Sequence, residues 1–133
     1  MESKLSILVG DDQIGIRDSL QQKAFLRNYE GVADFNFEND PAKFVSRAEV
    51  GRYDALLIDL NWRGSENSQD TTGLRVLYQT GRYSPKRFLH TSEEINLDLE
   101  SAVKLVGGTG IIQKHRSREY LVKKLAGGEN GKQ

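Results

Sequence analysis

Short apolar runs alternate with amphipathic stretches along the whole of this 133-residue chain. The apolar runs occupy residues 5–9, 32–37, 55–60, 87–91 and 111–113. This alternation is typical of βα units, in which buried parallel strands are joined by helices that cover the sheet. The second run reads VADFNF and alternates in polarity, which favours a position at the sheet edge. We therefore predict a (βα)5 domain.

The stretches between the runs carry helix signals. Apolar residues recur at every fourth position from about Ile14 to Asn28. Asp40 before Pro41 predicts an N-cap and the first helical position, with an apolar face formed by Phe44, Val45 and Ala48.

The later helices are predicted from similar signals. Ser92, followed by two acidic residues, predicts a capped helix that the GGTG motif at 107–110 ends. The core face of this helix consists of Leu99, Ala102, Val103 and Val106. A final helix from near Ser117 would bury Leu121 and Leu125. We expect one domain over residues 1–126 and a disordered polar tail over 127–133.

Composition excludes several classes of protein. Lys plus Arg and Asp plus Glu balance at 19 each without a long block, which argues against nucleic acid as a partner. The absence of cysteine excludes disulfides, thiolate metal sites and a cysteine nucleophile. No signal-peptide pattern is present, and no stretch approaches the roughly 20 apolar residues that span a bilayer. We expect a cytosolic protein that does not bind membranes.

Polar side chains follow the predicted strands at the points where the strands end. Asp11 and Asp12 follow the first strand, Asp59 the third, Thr91 the fourth and Lys114 the fifth. The carboxyl ends of parallel strands meet at one rim of the sheet, so these side chains should converge. Clustered carboxylates need a cation, and Mg²⁺ suits oxygen ligands better than zinc does. A metal, an ammonium and a hydroxyl around a carboxylate are suited to phosphoryl transfer onto that carboxylate.

Each of these residues also has an ordinary structural interpretation. Asp11 and Asp12 could cap the first helix, and Asp59 could accept hydrogen bonds from loop amides. Thr91 taken alone is a common strand residue, and Lys114 taken alone is a common solvated one. The two histidines, at positions 90 and 115, are too separated to suggest a metal pair, so we expect both to be structural or surface residues.

The order of Asp11 and Asp12, then Asp59, Thr91 and Lys114, at the ends of the predicted strands resembles the receiver domain of two-component response regulators, over about residues 5–125. The resemblance implies a flavodoxin-like fold, a doubly wound five-stranded parallel sheet with order 2-1-3-4-5. It implies that Asp59 is the phosphoacceptor for a sensor histidine kinase or a phosphotransfer protein. Lys114 would pair with the carboxylate and then with the phosphoryl oxygens, while Thr91 would bond the phosphoryl group and report its presence.

The resemblance also implies ligands, partners and a site of output. Mg²⁺ would be held by Asp12, Asp59 and the backbone carbonyl of Asn61, with help from Asp11. The output would be a shift of the face that helix four, strand five and helix five form, read by a downstream protein. Asn61 and Glu93 would influence how fast water removes the phosphoryl group, and we expect a short-lived phosphoryl form. We expect a stand-alone regulatory domain and not a classical enzyme.

The chain departs from the family pattern at three places. His115 stands where the family has a proline in a cis bond, so we expect the turn after Lys114 to be strained or reshaped. Ile111 replaces the aromatic residue of the switch, so we expect phosphorylation with an unusual conformational change. The loop from Asn61 to Thr72 is longer than usual, which is typical of functional or disordered loops, and Trp62 is the residue expected to anchor it.

Two rival functions remain open at this point. A pseudo-receiver would dock partners without phosphorylation, which the missing proline and aromatic residue favour and the complete acidic set opposes. A small enzyme of similar topology is the other. A flavodoxin would need a hydroxyl- and glycine-rich loop where GDDQIG stands, and a haloacid-dehalogenase-like phosphatase would need Asp-x-Asp there.

Overall fold

The computed structural model describes residues 5–11, 33–60, 62, 72–84, 86–116 and 118–127. The helix predicted over about 14–28 and most of the predicted 127–133 tail lie outside these ranges, so both stay predictions. The strands are β1 (Leu5–Gly10), β2 (Ala33–Glu38), β3 (Ala55–Asp59), β4 (Arg87–Thr91) and β5 (Gly110–Gln113). The helices are α1 (Pro41–Val50), α2 (Thr72–Gln79), α3 (Leu97–Leu105) and α4 (Arg118–Gly127).

The five strands form one parallel sheet in the order β2-β1-β3-β4-β5. This order confirms the predicted doubly wound topology and the edge position of the second strand. β2 lies on one side of β1, whereas β3, β4 and β5 follow on the other side, so the strand order reverses next to β1. Asp59 is in register with His90 on β4, so the ends of β3 and β4 lie side by side.

Two apolar cores cover the two faces of the sheet, because successive strand residues point to opposite faces. Leu57 packs in one core together with α4, whereas Leu56 and Ile58 pack in the other with α1, α2 and α3. The predicted burial of Leu121 and Leu125 in the last helix is confirmed. In the described ranges no helix is long and apolar enough to cross a membrane.

The start of α1 agrees with its sequence signal, whereas the start of α3 does not. Asp40 accepts a hydrogen bond from the Lys43 amide at 2.9 Å. The predicted cap at Ser92 is wrong, because α3 begins at Leu97 and Asn96 is its N-cap, accepting from the Leu99 amide at 2.8 Å. An Asn in extended conformation can cap as well as a Ser can, so local sequence did not decide between them.

The core face predicted for α3 is confirmed in its centre. Val103 is buried, while Leu99 and Val106 are partly buried against the same core. The helix ends as the glycine motif predicts: Gly107 has φ 83°, a left-handed conformation that favours glycine. The Gly108 amide then donates to the Val103 carbonyl at 2.8 Å.

A buried arginine joins two helix ends to the sheet. The Arg87 guanidinium donates to the carbonyls of Leu77 and Gly107, at the C-terminal ends of α2 and α3. Burial lowers the pKa of Arg87. The negative ends of two helix dipoles and two carbonyl acceptors therefore compensate in part for burying this cation.

Candidate functional site at the carboxyl ends of the strands

Two buried aspartates share one lysine at the carboxyl rim of the sheet. Lys114 Nζ lies 3.0 Å from Asp59 Oδ1 and 3.2 Å from Asp11 Oδ2. The side chains are 11% exposed for Lys114, 2% for Asp11 and 3% for Asp59. Desolvation costs at these buried charges are high, and a shared ammonium offsets part of them. The structure thus brings together three of the residues that the sequence predicts for the site.

Each of these three side chains comes from the end of a different strand. Asp11 directly follows β1, and its amide donates to the Glu38 carbonyl at the end of β2 at 3.3 Å. Asp59 is the last residue of β3. The Lys114 amide donates to the Thr91 carbonyl at 2.7 Å, which continues the pairing of β4 and β5 by one residue. Backbone hydrogen bonds at the ends of the sheet therefore fix the backbone positions of the residues that carry the carboxylates and the ammonium.

Thr91 is buried at the end of β4, and its hydroxyl already has a local partner. Thr91 Oγ1 accepts a hydrogen bond from the Glu93 amide at 3.0 Å. The Gln113 side-chain amide donates to the Glu93 carbonyl at 3.4 Å. The hydroxyl oxygen thus holds the first turn after β4 as an acceptor, while the hydroxyl hydrogen can still be donated to a group on Asp59.

The described residues contain only part of the predicted metal site. Asp12 and Asn61 lie outside them, as does nearly all of the long loop that follows Asn61. Within the described ranges no group of three or more His, Cys, Asp or Glu side chains could hold a metal. The carboxylates of Asp11 and Asp59 nevertheless have the oxygen chemistry that a hard divalent cation prefers.

Sequence comparison finds similarity to a known protein over part of the chain. No family model matches the chain. An uncharacterized 76.5 kDa protein encoded 3' of phbC in Thiocystis violacea is 32% identical over 84 residues, which is 63% of this chain. The chain spans only 12% of the length of that relative, so the stand-alone arrangement stays a prediction.

Solved structures resemble the chain over nearly its whole length. A CheY-like response regulator receiver domain of Methanospirillum hungatei is 21% identical, covers 92% of this chain and 91% of its own, and has a TM-score of 0.72. The chemotaxis response regulator CheY4 of Vibrio cholerae is 22% identical, covers 92% of this chain and 97% of its own, and has a TM-score of 0.70. The chain has the CheY-like receiver fold.

One further structure with the receiver fold carries a modification at an aspartate. It is a Burkholderia pseudomallei response regulator with a phosphorylated aspartic acid, a calcium ion and citrate, 14% identical, with a TM-score of 0.72. The match covers 92% of this chain and 66% of that one. Strand order and coverage together confirm the predicted fold.

The departures from the usual receiver pattern have visible structural counterparts. The bond between Lys114 and His115 is trans, as are the other peptide bonds of the described segments. Lys114 still reaches both aspartates, so the missing proline does not prevent this contact. Ile111 is partly buried against the core that contains Val103, where an aliphatic side chain packs without a polar group.

His90 lies next to the site, and the sequence predicts no functional role for it. Its side chain is 5% exposed, and Nδ1 has no hydrogen-bond partner among the described residues. Burial, and secondly the charge of Lys114, lower the pKa of His90 from 6.5 to about 3. The imidazole is therefore neutral at neutral pH, and His115 is exposed as expected.

We expect His90 to make the protein less stable in mild acid. The folded pKa lies below the unfolded one, so the unfolded chain binds the extra proton and stability falls as pH drops from 6.5 toward 3. The loss attributable to His90 between pH 7 and pH 5 should be about 2 kcal/mol. Urea unfolding of His90→Phe should show a pH dependence smaller by that amount. His115→Gln, at an exposed position, is the control, and equal slopes for both variants would contradict the expectation.

Proposed function

We propose that this receiver fold acts as a phosphorylation-dependent signalling switch that accepts a phosphoryl group on Asp59. The observation that carries the proposal is the buried triad in which Lys114 contacts both Asp59 and Asp11. A carboxylate that is held at the rim by an ammonium, beside a second carboxylate, suits nucleophilic attack on phosphorus better than it suits a purely structural role. The donor would be the phosphohistidine of a sensor kinase or of a phosphotransfer protein.

The chemistry is a transfer from nitrogen to oxygen. An Asp59 carboxylate oxygen attacks the phosphorus atom, the new P–O bond forms, and the P–N bond breaks with its electron pair left on the imidazole. Lys114 lies 3.0 Å from Asp59 and would balance charge on the phosphoryl oxygens. Thr91 would donate its hydroxyl hydrogen to a phosphoryl oxygen, and a movement of Thr91 toward that oxygen would change its bond with the Glu93 amide and so the turn that leads to α3.

Magnesium is the cofactor of the proposal. Its ligands would be Asp11, Asp12, Asp59 and the backbone carbonyl of Asn61, two of which the structure does not describe. When bound, the ion supplies positive charge against the phosphoryl oxygens. Support comes from the carboxylate chemistry at Asp11 and Asp59, and from the Burkholderia regulator, whose structure holds a phosphorylated aspartic acid and a calcium ion.

Removal of the phosphoryl group and the output complete the switch. Water would hydrolyse the phosphoaspartate, with Asn61 and Glu93 in positions to influence the rate; Glu93 is exposed next to Thr91. A form lasting hours in Mg²⁺ buffer would contradict the expected short lifetime. The signal would pass through protein contacts to a downstream protein, in the cytoplasm and without nucleic acid or membrane as partner.

Incubation with acetyl phosphate and Mg²⁺ tests the proposal. Intact-mass spectrometry should show a gain of one phosphoryl group. EDTA should prevent this gain because it removes the divalent cation that the acidic residues would bind. No gain, together with no response to beryllofluoride, would contradict the switch and favour the pseudo-receiver, a protein-interaction module that works without phosphorylation.

Magnesium alone should change the fluorescence of the protein. Trp62 is the single tryptophan, is fully buried, and lies three residues after Asp59. An ion bound at the aspartates would alter the field at the indole, so emission should change saturably on titration with MgCl₂ and return with EDTA. The Asp59→Asn variant is the control, and an identical response in this variant would contradict a site at Asp59.

A further inference from the structure

Trp62 makes three contacts that together bridge neighbouring strand ends. The indole is 0% exposed. Its Nε1–H donates to the Asn39 carbonyl at 3.0 Å, just beyond the end of β2. The ring meets Phe44 of α1 edge-on, with centroids 5.2 Å apart and planes at 81°. A favourable aromatic geometry and a satisfied N–H are the usual requirements for a fully buried tryptophan.

The third contact is with Gly10, the last residue of β1. A Cβ built on Gly10 would lie 2.1 Å from Cη2 of Trp62 and 2.9 Å from Cδ2 of Phe44. Real atoms do not approach so closely, so the indole occupies the space that any other residue at this position would fill. Gly10 immediately precedes Asp11, and the glycine therefore lets the ring lie directly against the strand end that carries this carboxylate.

These contacts connect the three strand ends on one side of the site. β3 ends at Asp59, and Trp62, three residues further along the chain, contacts the ends of β1 and β2. The Asp11 amide is bonded to the Glu38 carbonyl of the same β2 end. The backbone on both sides of the Asp11 and Asp59 pair is thus tied to one buried ring.

We propose that Trp62 is the positioning residue of the acidic site. Its indole fixes the ends of β1, β2 and β3 relative to one another, so that both carboxylates stay within reach of Lys114 and of a cation. Trp62 does not touch reacting atoms in this scheme. The part of the inference that concerns magnesium affinity rests on the proposed function. The part that concerns where the carboxylates lie in the metal-free protein does not.

Trp62→Phe is the main variant, because phenylalanine keeps an aromatic ring against Phe44 but removes the N–H donor and the ring atoms over Gly10. We expect its Mg²⁺ affinity by calorimetry to fall about tenfold, the size typical of losing a group that orients metal ligands. In metal-free protein the carboxyl ¹³C chemical shifts of Asp11 and Asp59 should also move. Leu77→Ala is the matched control.

Leu77 is a fully buried residue of the same apolar core, but it packs beside Gly108, before the first residue of β5 and at the opposite rim from Lys114. Leu77→Ala should therefore destabilise the fold while leaving Mg²⁺ affinity within about twofold and both carboxyl shifts unchanged. A similar loss of affinity and similar shift changes in both variants would overturn the proposal, since they would reduce the role of Trp62 to general packing.

A second variant tests the same contact from the other side. Gly10→Ala should displace the indole and shift both carboxyl signals. In the double variant Gly10→Ala with Trp62→Phe, the indole atoms that make the two closest approaches to the added Cβ are gone, so the two effects on stability should be clearly less than additive. Additive effects would overturn the proposed contact. If wild-type protein binds no Mg²⁺, the proposed function fails, and the metal-free carboxyl shifts still decide the role of Trp62.

Discussion

Asp59→Asn should abolish the gain of one phosphoryl group from acetyl phosphate. The amide nitrogen that replaces one carboxylate oxygen is not a nucleophile of comparable strength, and the variant loses the charge that Lys114 and a cation would hold. The fold should survive, because asparagine has the same shape and keeps an oxygen that can accept from Lys114. Intact-mass spectrometry of both proteins, with circular dichroism to verify folding, measures the effect.

Asp54→Asn is the matched control for this experiment. Asp54 directly precedes β3 and lies at the opposite end of the strand from Asp59, where its carboxylate accepts from the Ser6 amide at 2.7 Å. The Asp54→Asn variant should gain one phosphoryl group, as the wild type does. A full mass gain in Asp59→Asn would place the acceptor elsewhere and contradict the proposed site, and cleavage by hydroxylamine would show whether that product is an acyl phosphate.

Lys114→Met should lower the free energy of unfolding by about 3 kcal/mol in metal-free buffer at neutral pH. Methionine keeps the apolar stem but removes the ammonium that contacts both aspartates, and each carboxylate is nearly fully buried. Two buried negative charges would then lose the ammonium that lies within about 3 Å of both. Urea unfolding at neutral pH measures the loss.

Magnesium should restore part of the stability that Lys114→Met loses, because an ion at the aspartates supplies the missing positive charge and binds the folded state. Lys123→Met is the control, as Lys123 is exposed on α4 and its replacement should change stability by about 0.5 kcal/mol or less. If Lys114→Met and Lys123→Met were equally stable in metal-free buffer, the buried ion pairs of Lys114 would have no net effect on stability. That result would contradict the stabilising role of Lys114 between the two aspartates.

Strand positions and the residues at their ends were predictable because both follow from local pattern. The apolar run 87–91 coincides with β4, and the other predicted runs differ from the strands by one residue at one or both ends. Asp59 and Lys114 are predictable as site residues because a buried strand ends beside each, and parallel strands bring such ends together. The start of α3 was missed, since Ser92 and Asn96 are both good N-caps and only the path of the chain after β4 chooses between them.

Contacts between distant side chains could not be predicted in the same way. The sequence pattern predicts Arg87 only as the first residue of a strand, whereas in the structure its guanidinium joins α2 and α3. The sequence predicts only a structural or surface role for His90, whereas burial, and secondly the charge of Lys114, lower the pKa of its imidazole. Each of these properties depends on what packs around the residue.

The sequence by itself determined the order of elements, the parallel sheet and the rim at which Asp11, Asp59, Thr91 and Lys114 meet, because hydrophobic periodicity is a local property. Only the tertiary structure decided that one ammonium lies between two buried carboxylates, and that Trp62 fills the space that Gly10 leaves open. The physical reason is that these contacts join residues far apart in the chain, and distances of about 3 Å are set by packing that no single stretch of sequence contains.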